Sequence, residues 1–239
     1  MKNKLVIMLI LVLCNCIITL GQTDNLPGII PSFFYKGKVN KRFDYNIFTS
    51  CTFIPVKSVE QGKQYPTRFS EVFLQSSIIY KYSKDVNFAL GYTYITGNSF
   101  SEKVETQHQI WQQAIVEHRI FKGYMLHRFR LIENINNIPA VLLNYQIAFE
   151  KPLQGRVLDV KEFYFSCFNE AFLNVSSFQT KFYTADWAFI GIGYKTPNAG
   201  RIEVGPLVQT IFNSNNNHST LFLLQILWLT DYTIHKRKK

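Results

Sequence analysis

Cysteine is scarce, four in 239 residues, and two of the four, Cys14 and Cys16, fall in an N-terminal stretch that reads as removable. Cys51 and Cys167 remain. Two cysteines build no disulfide framework, and both sit in strand-like runs, so each is read as a small apolar residue rather than a reactive thiol. Glycine and proline are also few, 12 and 8, and concentrate between runs. That leaves no Pro/Gly/Ser-rich linker to divide the chain, and no internal repeat longer than a hairpin is present, so a single domain is expected. Acidic residues are outnumbered, 16 against 26 lysines and arginines. The surplus is scattered apart from the terminal "HKRKK", and in an exported chain such a tail is read as solvated, so no nucleic-acid partner is expected.

Motifs for chemistry are missing as well. There is no Ser-centred elbow, no metal-spaced His cluster and no close carboxylate pair. The Gly191-Ile192-Gly193 triplet lacks the helix that a dinucleotide site needs and suits a strand where small residues clear the interior. No catalytic residue, metal or cofactor is therefore assigned. His108, near the outer end of its run, and His218, beside Asn217 and Ser219, are the weak loop candidates if the chain is a protease- or lipase-type hydrolase.

Among the features present, the N-terminus comes first. Lys2 and Lys4 precede an apolar run from Leu5 to Leu20, and Thr19 and Gly21 supply small residues at −3 and −1 of a cleavage site. This predicts a secretory signal peptide over residues 1–21. Its removal takes Lys2 and Lys4 and no acid, so the formal charge of +10 falls by two to +8.

The rest alternates. Phe43, Tyr45, Ile47, Cys51 and Phe53 face one way, and Asp44, Asn46, Ser50 and Thr52 the other. Val72, Leu74, Ile78, Tyr80 and Tyr82 oppose Glu71, Gln75, Ser77 and Lys81, and the pattern returns after a short turn at Ser83 to Asp85. Period two marks two-faced strands. Further runs near 107–121, 124–135, 139–150, 159–173, 180–195, 201–213 and 219–232 give about ten strands, with twelve as the alternative count. Apolar faces with tyrosine near the ends and aliphatics between them match an outer-membrane strand.

The expected architecture is an all-β, antiparallel up-and-down transmembrane barrel over 43–232. A periplasmic segment over 22–42 precedes it and a basic tail over 233–239 follows. Turns at 83–85, 122–123 and 196–200 belong on the periplasmic side with both termini. The connections 55–68, 96–106, 136–140 and 213–219 belong outside. A soluble lipocalin-like binding barrel, with apolar side chains inward, is the competing fold.

In the membrane reading the polar face lines the lumen. Glu117, Arg119, Arg128, Arg130, Glu133, Glu170 and Glu203 are then the candidates for a network of paired charges, as an ionic plug or as a selective lining for a small solute. Ile132 interrupts the alternation, so Glu133 needs a bulge to turn inward. The partners expected are outer-membrane lipids and the barrel-assembly machinery, the latter served by a last strand ending in Trp228 and Tyr232.

Four segments, "HQIWQQAIVEHRIFKGYMLHRFRL", "LLNYQIAFEKPL", "FNEAFLN" and "AFIGIGYKTPNAGRIEVGPLVQ", resemble in order the motifs of a Bacteroidota family called domain of unknown function 2490. The resemblance implies an outer-membrane β-barrel with no established activity. The chain departs from the family pattern at Leu131-Ile132-Glu133, Asn144, Asp186-Trp187 and Pro206, which thins the charged interior. A structural or narrow-passage role in the outer membrane is the function expected.

Overall fold

The structure, a computed structural model, describes residues 23–55, 58–60, 63–65, 67–97, 105–135, 140–176, 182–212 and 218–231. The expected signal peptide, Tyr232, the basic tail, Asn217 and most of the connections 98–104, 136–139 and 213–217 lie outside the described residues. The described chain forms strands β1 (Thr23–Lys38), β2 (Phe43–Ile54), β3 (Ser58–Glu60), β4 (Lys63–Tyr65), β5 (Arg68–Lys81), β6 (Val86–Gly97) and β7 (Thr106–Ile120). After these come β8 (Gly123–Asn134), β9 (Ala140–Pro152), β10 (Phe163–Asn174), β11 (Tyr183–Lys195), β12 (Arg201–Phe212) and β13 (His218–Asp231). β3 and β4 make a small separate hairpin, and the other eleven close into a barrel in the order β1-β13-β12-β11-β10-β9-β8-β7-β6-β5-β2.

The eleventh strand is β1, in a segment the sequence reading set aside as periplasmic. Pro27 and Pro31 hide it, because a residue without an N–H cannot donate to a ladder and two in one run argue against a strand. Both prolines fall on odd positions and point outward, while Leu26, Ile30 and Ser32 point in and are buried. Pairing with β2 is interrupted between Ile29 and Ser32, but the pairing with β13 runs unbroken from Thr23 to Lys36.

An odd number of up-and-down strands makes the first and last run the same way, so the β1–β13 seam is parallel while every other barrel pair is antiparallel. Thr23 pairs with His218 at the end of the barrel that carries the long connections. Lys36 pairs with Asp231 at the end that carries the tight turns. The two chain ends of the barrel thus lie at opposite rims, not on one side as alternation with an even count had implied.

One tight turn also shifts. The two residues between β7 and β8 are Phe121 and Lys122, both with positive φ (50° and 63°), the backbone of a hairpin turn whose twist matches its strands. Gly123, expected in the turn, is instead the first residue of β8. A Cβ there would lie 2.5 Å from the Glu150 carbonyl oxygen and 2.7 Å from the Phe149 ring, so close approach demands the glycine.

The wall sorts largely by face, with Gln112 and the Asn169–Asp186 pair as polar exceptions on the outer side. Outward side chains are apolar and open, including Leu74, Ile78, Leu90, Phe129, Ile190, Phe222 and Leu224. Aromatic pairs border this band: Phe43–Tyr80, Tyr82–Phe88, Phe163–Tyr194 and Phe33–Trp228 toward the tight turns, Phe53–Phe69 and Tyr183–Phe212 toward the long connections. Inward side chains such as Asn46, Gln75, Ser77, Thr93, Gln113, Glu170 and Gln209 are polar and buried. A soluble barrel built around an apolar cavity has the reverse arrangement.

Candidate functional site

Among the described residues the lumen gathers most of the buried polar side chains, and three groups of hydrogen-bonded side chains occupy it. At the waist, Arg128 of β8, Gln146 of β9 and Glu170 of β10 are cross-strand neighbours on the inner face. Strand register alone therefore puts a guanidinium, an amide and a carboxylate in one row. Arg128 Nη2 donates to Glu170 Oε1 at 2.5 Å, and Gln146 Nε2 donates to Oε2 at 3.2 Å. With side chains 20% and 7% exposed, this pair is shielded from solvent, so charge-assisted hydrogen bonds there are strong and directional.

Arg130, two residues further along the same face, has no carboxylate within ion-pair distance among the described residues. Its Nε and Nη2 donate to Gln113 Oε1 (3.0 and 2.8 Å) and its Nη1 donates to Gln75 Oε1 across the lumen (3.1 Å). The guanidinium lies over the Trp111 ring, 4.2 Å from its centroid, and Trp111 Nε1 donates to Thr93 Oγ1 at 2.9 Å. Arg130 is thus a strut joining β5, β7 and β8, held by neutral acceptors and a ring face rather than by an acid.

Toward the tight turns, Tyr164 is fully buried and donates to Glu203 Oε1 at 2.7 Å. Its ring fills the space left by Gly193 on β11, where a Cβ would come within 2.1 Å of the ring. Arg201 donates to Glu150 Oε2 at 2.6 Å. Asp44, nearly buried, accepts Lys81 at 2.7 Å and lies 3.5 Å from Lys36.

Hydrocarbon fills the remainder. Leu26, Ile30, Ile54, Phe189, Leu207, Leu221 and Leu223 form one buried cluster with Phe168 and Trp187 against it. Ile79, Ala89, Trp111 and Ile132 form a second, with Leu142.

Of the seven charged residues expected to pair in the lumen, only Arg128 and Glu170 bond to each other. Glu203 is buried but bonds to Tyr164. Glu117 is half-buried near the tight turns and makes no ion pair among the described residues. Arg119 is exposed at the rim and donates to the Tyr124 hydroxyl at 2.5 Å. Glu133 is a correction: β8 pairs without a bulge on both sides, so Ile132 faces in at 5% exposure and Glu133 faces out, exposed. An apolar residue is tolerated inside because Ile132 belongs to the second hydrocarbon cluster.

The two histidines singled out are far apart on the wall. His108 of β7 is exposed, hydrogen-bonded to Tyr92 at 2.6 Å and packed near Tyr94. His218 of β13 is buried beside the Phe212 ring. They share no strand pair, and among the described residues no group of three His, Cys, Asp or Glu side chains is placed to hold a metal. Cys51 and Cys167 are free and half-buried.

Sequence reading missed Gln75, Gln113, Trp111, Tyr164 and the Glu150–Arg201 pair as lumen partners. The signal available was their inward parity. What was missing was the register across non-neighbouring strands.

The chain matches the family described as protein of unknown function (DUF2490) over residues 31–220. No curated protein and no solved structure matches it. With most of its length covered, the chain belongs to that family.

Proposed function

We propose that this protein is an outer-membrane β-barrel whose lumen is closed, so that it serves as a membrane-embedded structural body and not as a diffusion pore. The observation that carries the reading is the opposite polarity of the two faces of one wall. A predominantly apolar band faces outward, interrupted by Gln112 and the Asn169–Asp186 pair and bordered by aromatic rings, while most of the buried polar groups are turned in. Water gives no reason to expose so much hydrocarbon, and contiguous apolar patches beyond a few hundred Å² are rare on soluble monomers. A bilayer does.

Closure follows from what fills the lumen. An eleven-stranded barrel is wider than the eight-stranded kind that side chains just fill, so closure depends on what occupies the extra width. Here the Arg130 strut, the Tyr164–Glu203 pair and the leucine-rich cluster occupy the interior between the rims. The signal-peptide features at the N-terminus support export, and the tight turns are assigned to the periplasmic side by their length.

The test has two arms. After expression with its leader, the protein is expected to stay with membranes through a carbonate wash and to migrate faster on gels when unboiled. In planar bilayers it is expected to give no stepwise conductance. Release into the soluble fraction overturns the membrane reading, and steady open-channel current overturns closure alone.

A further inference from the structure

The barrel has a pocket at its tight-turn rim that neither the family description nor a purely structural role explains. A cavity of about 410 Å³ sits there, within the size range of small-molecule sites. On the closed-lumen reading its inner end is blind: Tyr164, with no exposure, lines it, and the leucine cluster fills part of the lumen beyond the rim. A dead-end space carries nothing through the membrane but can hold something.

Its roof is the connection 153–162, the longest at this rim. Lys195 pins that segment at three points: its Nζ donates to the Leu158 carbonyl at 2.7 Å, its carbonyl accepts the Lys161 N–H at 2.7 Å, and its N–H donates to the Glu162 carbonyl at 3.0 Å. Val157, Leu158 and Val160 line the cavity from this strap, and Phe34 and Leu229 line it from the barrel. Val157 is half-exposed although it lines the cavity, and with Leu158 and Val160 it makes this side of the strap apolar.

The charged lining comprises Lys36, Lys195 and Arg201 against Glu150 and Asp231. Glu150 is engaged by Arg201 and the Lys195 ammonium by a carbonyl. Lys195 has no carboxylate within ion-pair distance among the described residues, Lys36 is the register partner of Asp231 across the β1–β13 seam, and the lining as a whole carries three cations against two acids; Lys36 keeps part of its charge. It reaches Asp44 only at 3.5 Å, Asp44 is already held by Lys81 at 2.7 Å, and Lys36 is 38% exposed.

We infer that this pocket binds a small amphipathic monoanion, a carboxylate on a short apolar body. The head lies between Lys36 and Arg201 and the body lies under the strap. The inference rests on the closed-lumen part of the reading above, and conductance of the same preparation tests that part separately.

The experiment is calorimetric titration of the full barrel in lipid nanodiscs with 4-phenylbutyrate, its neutral amide and the cationic 4-phenylbutylamine, with empty nanodiscs as the blank. Saturable binding of the acid is expected, at least tenfold weaker for the amide and for the amine. Lys36→Met is expected to weaken the acid at least tenfold. Leu229→Trp, which fills the cavity, is expected to abolish binding, and Val160→Trp from the strap side serves if that variant does not fold. Heat-modifiable gel mobility reports folding of each variant. Equal binding of acid and amide, acid binding indifferent to both tryptophan variants, or no binding of the acid overturns the proposal.

Discussion

Where β1, β2 and β11–β13 face the lumen, the space is taken by Leu26, Ile30, Ile54, Phe189, Leu207, Leu221 and Leu223. Where β5 and β7–β10 face it, Gln75, Gln113, Gln146, Arg128, Arg130 and Glu170 take the same role through hydrogen bonds, beside the smaller cluster of Ile79, Ala89, Trp111 and Ile132. Both fillings exclude solvent, but they fail differently. Hydrocarbon contact has no direction and degrades in proportion to the volume removed. A buried ionic network depends on every partner, because taking one away leaves the other charged and unpaired. The comparison teaches that one barrel can hold a graded side and an all-or-none side.

The largest expected effect is on the ionic side. Glu170→Leu strands Arg128 in a shielded site and is expected to cost about 3 kcal/mol in urea unfolding of the barrel in lipid vesicles. Glu170→Gln, which keeps an acceptor, should cost clearly less. If the two variants unfold together, the all-or-none description of this side fails.

On the hydrocarbon side, Leu207→Ala opens a cavity beside Phe189 and Leu223, for an expected loss of about 2–3 kcal/mol. Leu207→Met, near in volume, should stay under about 1.5 kcal/mol. Such grading is the signature to look for, and a loss from the methionine variant as large as from alanine would erase the contrast between the two sides.

The smallest effect is expected outside both. Glu133→Gln should change stability by less than about 0.5 kcal/mol, since Glu133 faces outward and is exposed. A loss of several times that size would return Glu133 to the ionic side and reverse its placement.

The sequence made the wall legible and the interior only in part. Alternation in β2, β5 and β6 states which side chains share a face, and the strands follow it. It does not state which inward residues meet, because that depends on register across strands far apart in the chain. Arg130 reaches Gln75, 55 residues away, and a glutamine in a strand looks like any polar residue until an arginine is placed opposite. Ile132 misled for a related reason: one apolar residue on a polar face reads as a slipped phase, when it marks a local patch of hydrocarbon. β1 escaped notice because its prolines face outward, where their parity matters more than their presence. Tyr164 gave no signal of its own, since its inward placement is complete only with Gly193 opposite.

The parallel seam limits how this chain can be rewired. Thr23 and Asp231 stand at opposite rims, separated by the height of a 14-residue strand, roughly 35 Å once strand tilt is allowed for. A circular permutant needs a bridge between them, and neither route is short: packed side chains fill the middle, and the outside is an apolar surface as tall as the barrel. An even-stranded up-and-down barrel, whose first and last strands end at one rim, leaves only a short gap for such a link. This one does not, and the same geometry makes its two ends independent reporters: a tag joined ahead of Thr23 and one joined after Asp231 label opposite rims of the barrel.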